Sequence, residues 1–143
     1  MNHVTEKKLN NKGFSLVELI IVIAIMAVLI GVLAPQYLKY VEKSRESSDL
    51  DNYTSILSAI EVYAANPTAS ITENETIVCK KNQASTAGTS LTTALHDSGI
   101  TIGNVQMNSD KYGTATITVK KDANGYLYFD FGTNTALKEA LGR

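Results

Sequence analysis

Hydrophobic and polar positions along the chain follow two different rules. From Phe14 to Ala34 the residues FSLVELIIVIAIMAVLIGVLA are apolar on nearly every side, as expected of a helix with no aqueous face. No charge occurs from Leu19 to Leu38, and Lys39 ends the run. Those 20 residues, taken as a helix, rise about 30 Å, the hydrocarbon thickness of a bilayer. Past Pro35 the helical signal continues through Tyr37, Leu38 and Val41, and then gives way to a charged, solvated stretch, KSRESSDLD. Beyond it Tyr53, Ile56, Leu57, Ile60, Tyr63 and Ala64 recur on one helical face. Asn66-Pro67 stops the pattern, because a residue before proline avoids the helical region. The spacing predicts one long helix from about Ser15 to Ala65. Its first half belongs in lipid or a helical bundle, and its second half carries a globular head.

The remainder reads as a small mixed domain. Thr68 to Ser90 is rich in Thr, Ser, Asn and Ala around a short apolar piece, Thr76 to Cys79, and is expected to be a connecting loop with little regular structure. Ser90 to Ser98 suggests a short helix, capped by Ser90 and ended by Gly99. Three strand-like segments follow. Asn104 to Asn108 alternates weakly. Gly113 to Lys121 alternates well, with Ala115, Ile117 and Val119 on one face. Gly125 to Phe131 sets Leu127, Phe129 and Phe131 against Tyr126, Tyr128 and Asp130. Asp122-Ala123-Asn124-Gly125 between the last two is a hairpin turn signal. Asn134 to Leu141 closes the chain as a short helix ended by Gly142.

Composition narrows the chemistry. The chain has 143 residues, a formal net charge of -1, 7 Tyr, 3 Phe and no Trp, so bulk electrostatics ask for no nucleic acid. A single cysteine, Cys79, makes an internal disulfide impossible and is expected as a small, half-buried hydrophobe. His3 and His96 are the two histidines, and His96, beside Asp97 in a short helix, reads as a surface residue. Lys80-Lys81 and Lys120-Lys121 read as solvated faces. No phosphate loop, zinc spacing or nucleophile elbow occurs. No enzyme, cofactor or metal is expected.

The N-terminal end is the informative part. Lys7, Lys8 and Lys12 precede the apolar block against one acid, Glu6, which places the N-terminus in the cytoplasm and exports the rest. A secretory signal would carry a small-residue cleavage site after the block. PQYLKYVEKSRESSD follows instead, so the block stays in the mature chain. Glu18 lies inside the apolar stretch and has two readings. Ser15-Leu16-Val17-Glu18 fits a capping box, with the carboxylate complementing the helix dipole. An acid inside a spanning helix also commonly marks a partner. Gly31 and Pro35 weaken the helix, as a simple kink or as a point of loosening.

The junction KGFSLVELIIVIAIMAVLIGVLAP closely resembles the signal and N-terminal helix of type IV pilins and related pseudopilins. The resemblance runs from Lys12 to about Tyr40 and is only architectural beyond. It implies that a prepilin peptidase cuts between Gly13 and Phe14 and N-methylates the Phe14 amine. It also implies that Glu18 neutralises the Phe14 ammonium of a neighbouring subunit. Two such charges ~4 Å apart at an effective dielectric of ~20 attract by about 4 kcal/mol before desolvation. Burial cancels most of that gain, so the pair sets register more than affinity. In resembling pilins, the segment around Gly31 and Pro35 is where the helix loosens during assembly.

The implied fold is α+β, the type IV pilin fold, with a small antiparallel sheet on the second half of a long helix. The implied organisation is a leader at 1–13, a membrane and filament-core helix at 14–38, and a globular head at 39–143. Lack of a disulfide resembles pilins of Gram-positive anaerobes such as clostridia, while the 13-residue leader leaves the subclass open. The function implied is a pilus subunit, the major pilin, for adhesion, motility or aggregation. Its partners are copies of itself, the prepilin peptidase, the assembly platform and motor, and the membrane. The alternatives are a pseudopilin of a secretion or competence machine, and a monomeric single-pass membrane protein whose head binds a ligand.

Overall fold

The structure, a computed structural model, describes residues 13–143. Residues 1–12, with His3, Lys7, Lys8 and Lys12 of the expected leader, lie outside the described residues. The chain divides into two compact units that part between Leu38 and Lys39. Helix α1, Leu16–Ala64, contributes to both, within a residue of the ends expected from the sequence.

In the first unit the apolar side chains of α1 meet no protein. Leu16, Ile23, Val28 and Val32 are all more than half exposed, and so are their apolar neighbours along the turn. In the second unit α1 presents Tyr53, Ile56, Leu57 and Ile60, all buried, to a common core. These four sit at helical spacing, so one stripe of the helix is covered and the opposite side, with Val62, stays exposed.

That core is completed by a four-stranded antiparallel sheet of order β2-β1-β3-β4. The strands are β1 Thr76–Lys80, β2 Gln83–Ala87, β3 Ala115–Lys121 and β4 Leu127–Asp130. Ile77 and Cys79 of β1, Ala115, Ile117 and Val119 of β3 and Phe129 of β4 point into the core, following the two-residue period of a pleated strand. The β3–β4 hairpin forms as the sequence predicts. Gly125 adopts φ +84, and the Asp122 carboxylate accepts the amides of Asn124 and Tyr126 at 2.9 and 2.8 Å. Short helices α2, Thr89–Asp97, and α3, Thr135–Ala140, add Leu91, Leu95 and Leu137 to the core. Asn134 caps α3, its side chain accepting from Leu137 N.

Five sequence expectations are corrected. The stretch Thr68 to Ser90 is not a structureless loop: it contains the β1–β2 hairpin. Strand β2, QASTA, has no large apolar residue to reveal it, and its identity comes from pairing with β1, Val78 opposite Thr86. The hairpin turns at Lys81-Asn82, where Asn82 takes φ 55 and its amide donates to Met107 O. Second, Asn104 to Asn108 forms no strand. A 3₁₀ turn occupies Ile102–Asn104, and only single bridges, Ala84 to Gln106 and Lys81 to Met107, follow.

Third, Ser90 does not cap α2. Gly88 occupies that position without a side chain to offer, and the carboxylate of Glu75 does the work from the start of β1. It accepts from Ser90 N at 3.2 Å, Leu91 N at 3.1 Å and Ser90 Oγ at 2.8 Å. At the other end Gly99 behaves as expected: it takes φ +81, and its amide and that of Ile100 return to His96 O and Leu95 O, closing a Schellman turn. Fourth, the charged stretch before Tyr53 is not wholly solvated, because Asp49 is fully buried. Cys79, expected half-buried, is also fully buried.

Candidate functional site

The residues singled out at the N-terminal end lie together in the first unit. Phe14 is 91% exposed. Gly13 is exposed, and a Cβ added there would meet nothing within 4 Å among the described residues. The bond between them is therefore exposed among the described residues.

Two residues further on, the capping box forms as the sequence predicts. The Ser15 amide donates to Glu18 Oε2 at 3.0 Å, and the Glu18 amide donates to Ser15 Oγ at 3.2 Å. Two amides that α1 cannot satisfy internally are thus satisfied reciprocally. This reading of Glu18 does not compete with the charge-pairing one. The cap uses one carboxylate oxygen, and Oε1 has no partner among the described residues. It also holds the anion beside the backbone of Phe14 and Ser15, where an amine created at Phe14 would emerge.

Gly31 and Pro35 prove to be one feature. They are an i, i+4 pair inside α1, so the amide that proline lacks is the one that would have bonded the Gly31 carbonyl. The proline ring also crowds that carbonyl, and glycine is the residue most able to shift away. Nothing lies within 4 Å of a Cβ built on Gly31, so packing within this chain does not require glycine there.

The second unit holds the polar groups that sequence reasoning missed. Asp49 accepts from Asn108 N at 2.9 and 3.1 Å, from Ser109 N at 2.8 Å and from Ser109 Oγ at 2.6 Å. One helix face carries the set: Glu42, two turns earlier, accepts the Asp110 amide, and Tyr53, one turn later, donates to Tyr112 O at 2.8 Å. Together they fasten segment 108–112 to α1. Burial pushes the Tyr53 phenol well above its ordinary pKa. Asp49 could have been suspected, since it precedes Tyr53 by four residues and Ile56 by seven on the buried stripe.

The other candidates are surface features. His96 is exposed, Lys81 pairs with Asp110, and Lys120 pairs with Asp130 across the β3–β4 hairpin. Among the described residues, no group of three or more His, Cys, Asp or Glu is placed to hold a metal ion.

Comparison with known proteins bears on the N-terminal site. Residues 8–34 match the family model described as the prokaryotic N-terminal methylation motif. No solved structure matches the chain. The long helix with its antiparallel sheet is the layout of the type IV pilin fold, and the matched motif is the type IV prepilin signature. That motif supports a type IV pilin-like or pseudopilin substrate of prepilin peptidase. The type IV pilin family is structural and non-enzymatic, and the apolar helix fits membrane anchoring as a precursor.

Proposed function

We propose that the chain is the major pilin of a type IV pilus, cut between Gly13 and Phe14, N-methylated at Phe14 and polymerised through residues 14–38. The observation that carries this reading is the state of the first unit. A helix apolar all round, with every large side chain half exposed or more, needs lipid before assembly and identical helices after it. Cutting at Gly13 removes Lys7, Lys8 and Lys12 and leaves an ammonium four residues from Glu18. In a stack of such helices, a subunit one step out of place leaves a charge unpaired in an apolar core, and that penalty selects the stagger. The missing hydrogen bond at Gly31–Pro35 lets the helix adjust as it leaves the bilayer. The head at 39–143 forms the outer surface through which the filament adheres or moves cells.

Electron microscopy of material sheared from cells, with mass spectrometry of its N-terminus, tests the reading. Long filaments beginning at a methylated Phe14 are expected, and Gly13→Ala should leave precursor uncut. Only short, cell-bound assemblies would make the chain a pseudopilin. An uncut monomer in the membrane would make it an anchored binding protein.

A further inference from the structure

The second unit carries an open groove of about 360 Å³, at the small end of the range for small-molecule sites, ~300–1,000 Å³. Its floor is made of methyl groups from Ala64, Ala65 and Ala69, with Leu127 beside them. Tyr126 forms one lip and is 73% exposed. An aromatic ring left this open has surrendered the area it could have buried. Its backbone is fixed on both sides of the turn: the Tyr126 amide donates to Asp122 Oδ1 at 2.8 Å, and its carbonyl accepts from Asp122 N at 2.9 Å. A ring on so fixed a stem presents contact area at low entropic cost.

The charges in the groove are unequal in their freedom. Glu61 is held by Arg143, whose second guanidinium nitrogen lies 3.2 Å from Oε2, and the guanidinium itself sits 5.4 Å from the Phe129 ring centre. The Asp122 carboxylate is engaged by the turn amides. Lys121, by contrast, forms no ion pair among the described residues. The groove therefore offers an electron-rich ring face, an apolar floor and a lysine with no ion pair among the described residues.

We infer that this groove binds an acidic saccharide, a pyranose ring carrying a carboxylate. The C–H face of such a ring lies on Tyr126 and the methyl floor, the carboxylate meets Lys121, and the hydroxyl edges stay in water. A polyphosphate is a poor occupant, because the lining supplies one lysine, Lys121, beside the carboxylate of Glu61, enough for a single carboxylate but not for a dense run of charge. Binding here needs no polymerisation, so this inference and the filament reading fail separately.

The test is saturation-transfer NMR on the full chain in phosphocholine-detergent micelles, with trigalacturonate as the probe and maltotriose as its neutral counterpart. Transfer to the ring protons of trigalacturonate is expected, stronger than to maltotriose. Tyr126→Ala should weaken binding about tenfold, the size of one lost aromatic contact. Lys121→Gln should erase the preference for the acidic sugar, while Tyr128→Ala, exposed but outside the groove, should change nothing. No transfer at millimolar sugar, or transfer insensitive to Tyr126→Ala, or equal loss with Tyr128→Ala, overturns the inference. All three side chains are at the surface, so circular dichroism should show an unchanged fold.

Discussion

The two parts of helix α1 are built from the same backbone and answer to different solvents. From Leu16 to Leu38 no side chain is buried, and the residues are nearly all apolar. From Lys39 to Ala64 the composition is mixed, and six residues are buried: Asp49, Tyr53, Ile56, Leu57, Ala59 and Ile60. Amphipathicity is needed only where a helix faces water on one side and protein on the other. The first part has no such boundary among the described residues, and its apolar composition fits membrane anchoring as a precursor. The difference also separates two kinds of residue. Changes in the first part should alter what the chain assembles into, and changes in the second whether the head stays folded.

The largest effect expected is at Glu18. Glu18→Ala should insert and be cleaved like the parent while yielding few or no filaments, and its head should melt at the parental temperature. Normal filament recovery by shearing would break the separation, because the one acid in the apolar part would then have no assembly role.

Next comes Asp49→Ala. It leaves two amides and a hydroxyl without their acceptor in a closed site, a loss of about 3 kcal/mol. The melting temperature of the head should fall while cleavage at Gly13 continues. Unchanged melting would mean that segment 108–112 finds other partners.

Glu75→Gln is a smaller change, about 1 kcal/mol, the size of a helix cap. Burial raises the Glu75 pKa, but its bonds from Ser90 and Leu91 together outweigh that and hold it below the ordinary carboxylate range. The folded state therefore binds the proton more weakly than the unfolded one. The stabilisation is complete above the ordinary value of about 4.3, and it disappears as pH falls through the lower folded value. Parent and variant should converge in stability under acid, as thermal melts at a series of pH values would show.

The smallest effect on the head is expected from Gly31→Ala. It adds up to ~1 kcal/mol of helix preference without meeting any atom of this chain, so head melting should not move. Any change should be confined to the rate at which filaments appear.

Much of this was legible before the structure, and the reason is periodicity. Helix α1, the β3–β4 hairpin and α3 follow from repeats of 3.6 and 2 and from capping residues that act locally, such as Ser15, Asp122 and Asn134. The N-terminal methylation motif was readable because Lys12-Gly13-Phe14 and Glu18 lie in one contiguous stretch of sequence. Features settled by distant partners stayed hidden. Strand β2 is Gln, Ala, Ser, Thr and Ala, and it exists because β1 offers an edge. Glu75 caps a helix that starts fourteen residues later. Asp49 looked like one more charge among KSRESSDLD, because the amides that donate to it come from 59 and 60 residues away.

Cys79 has a practical consequence. As the only thiol of the chain, lying at 0% exposure inside the core and with its ionisation further discouraged by that burial, it should be inert to alkylating reagents while the head is closed. Every modified molecule then records one opening event, so the native chain carries its own clock for unfolding, readable by intact mass without introducing a label.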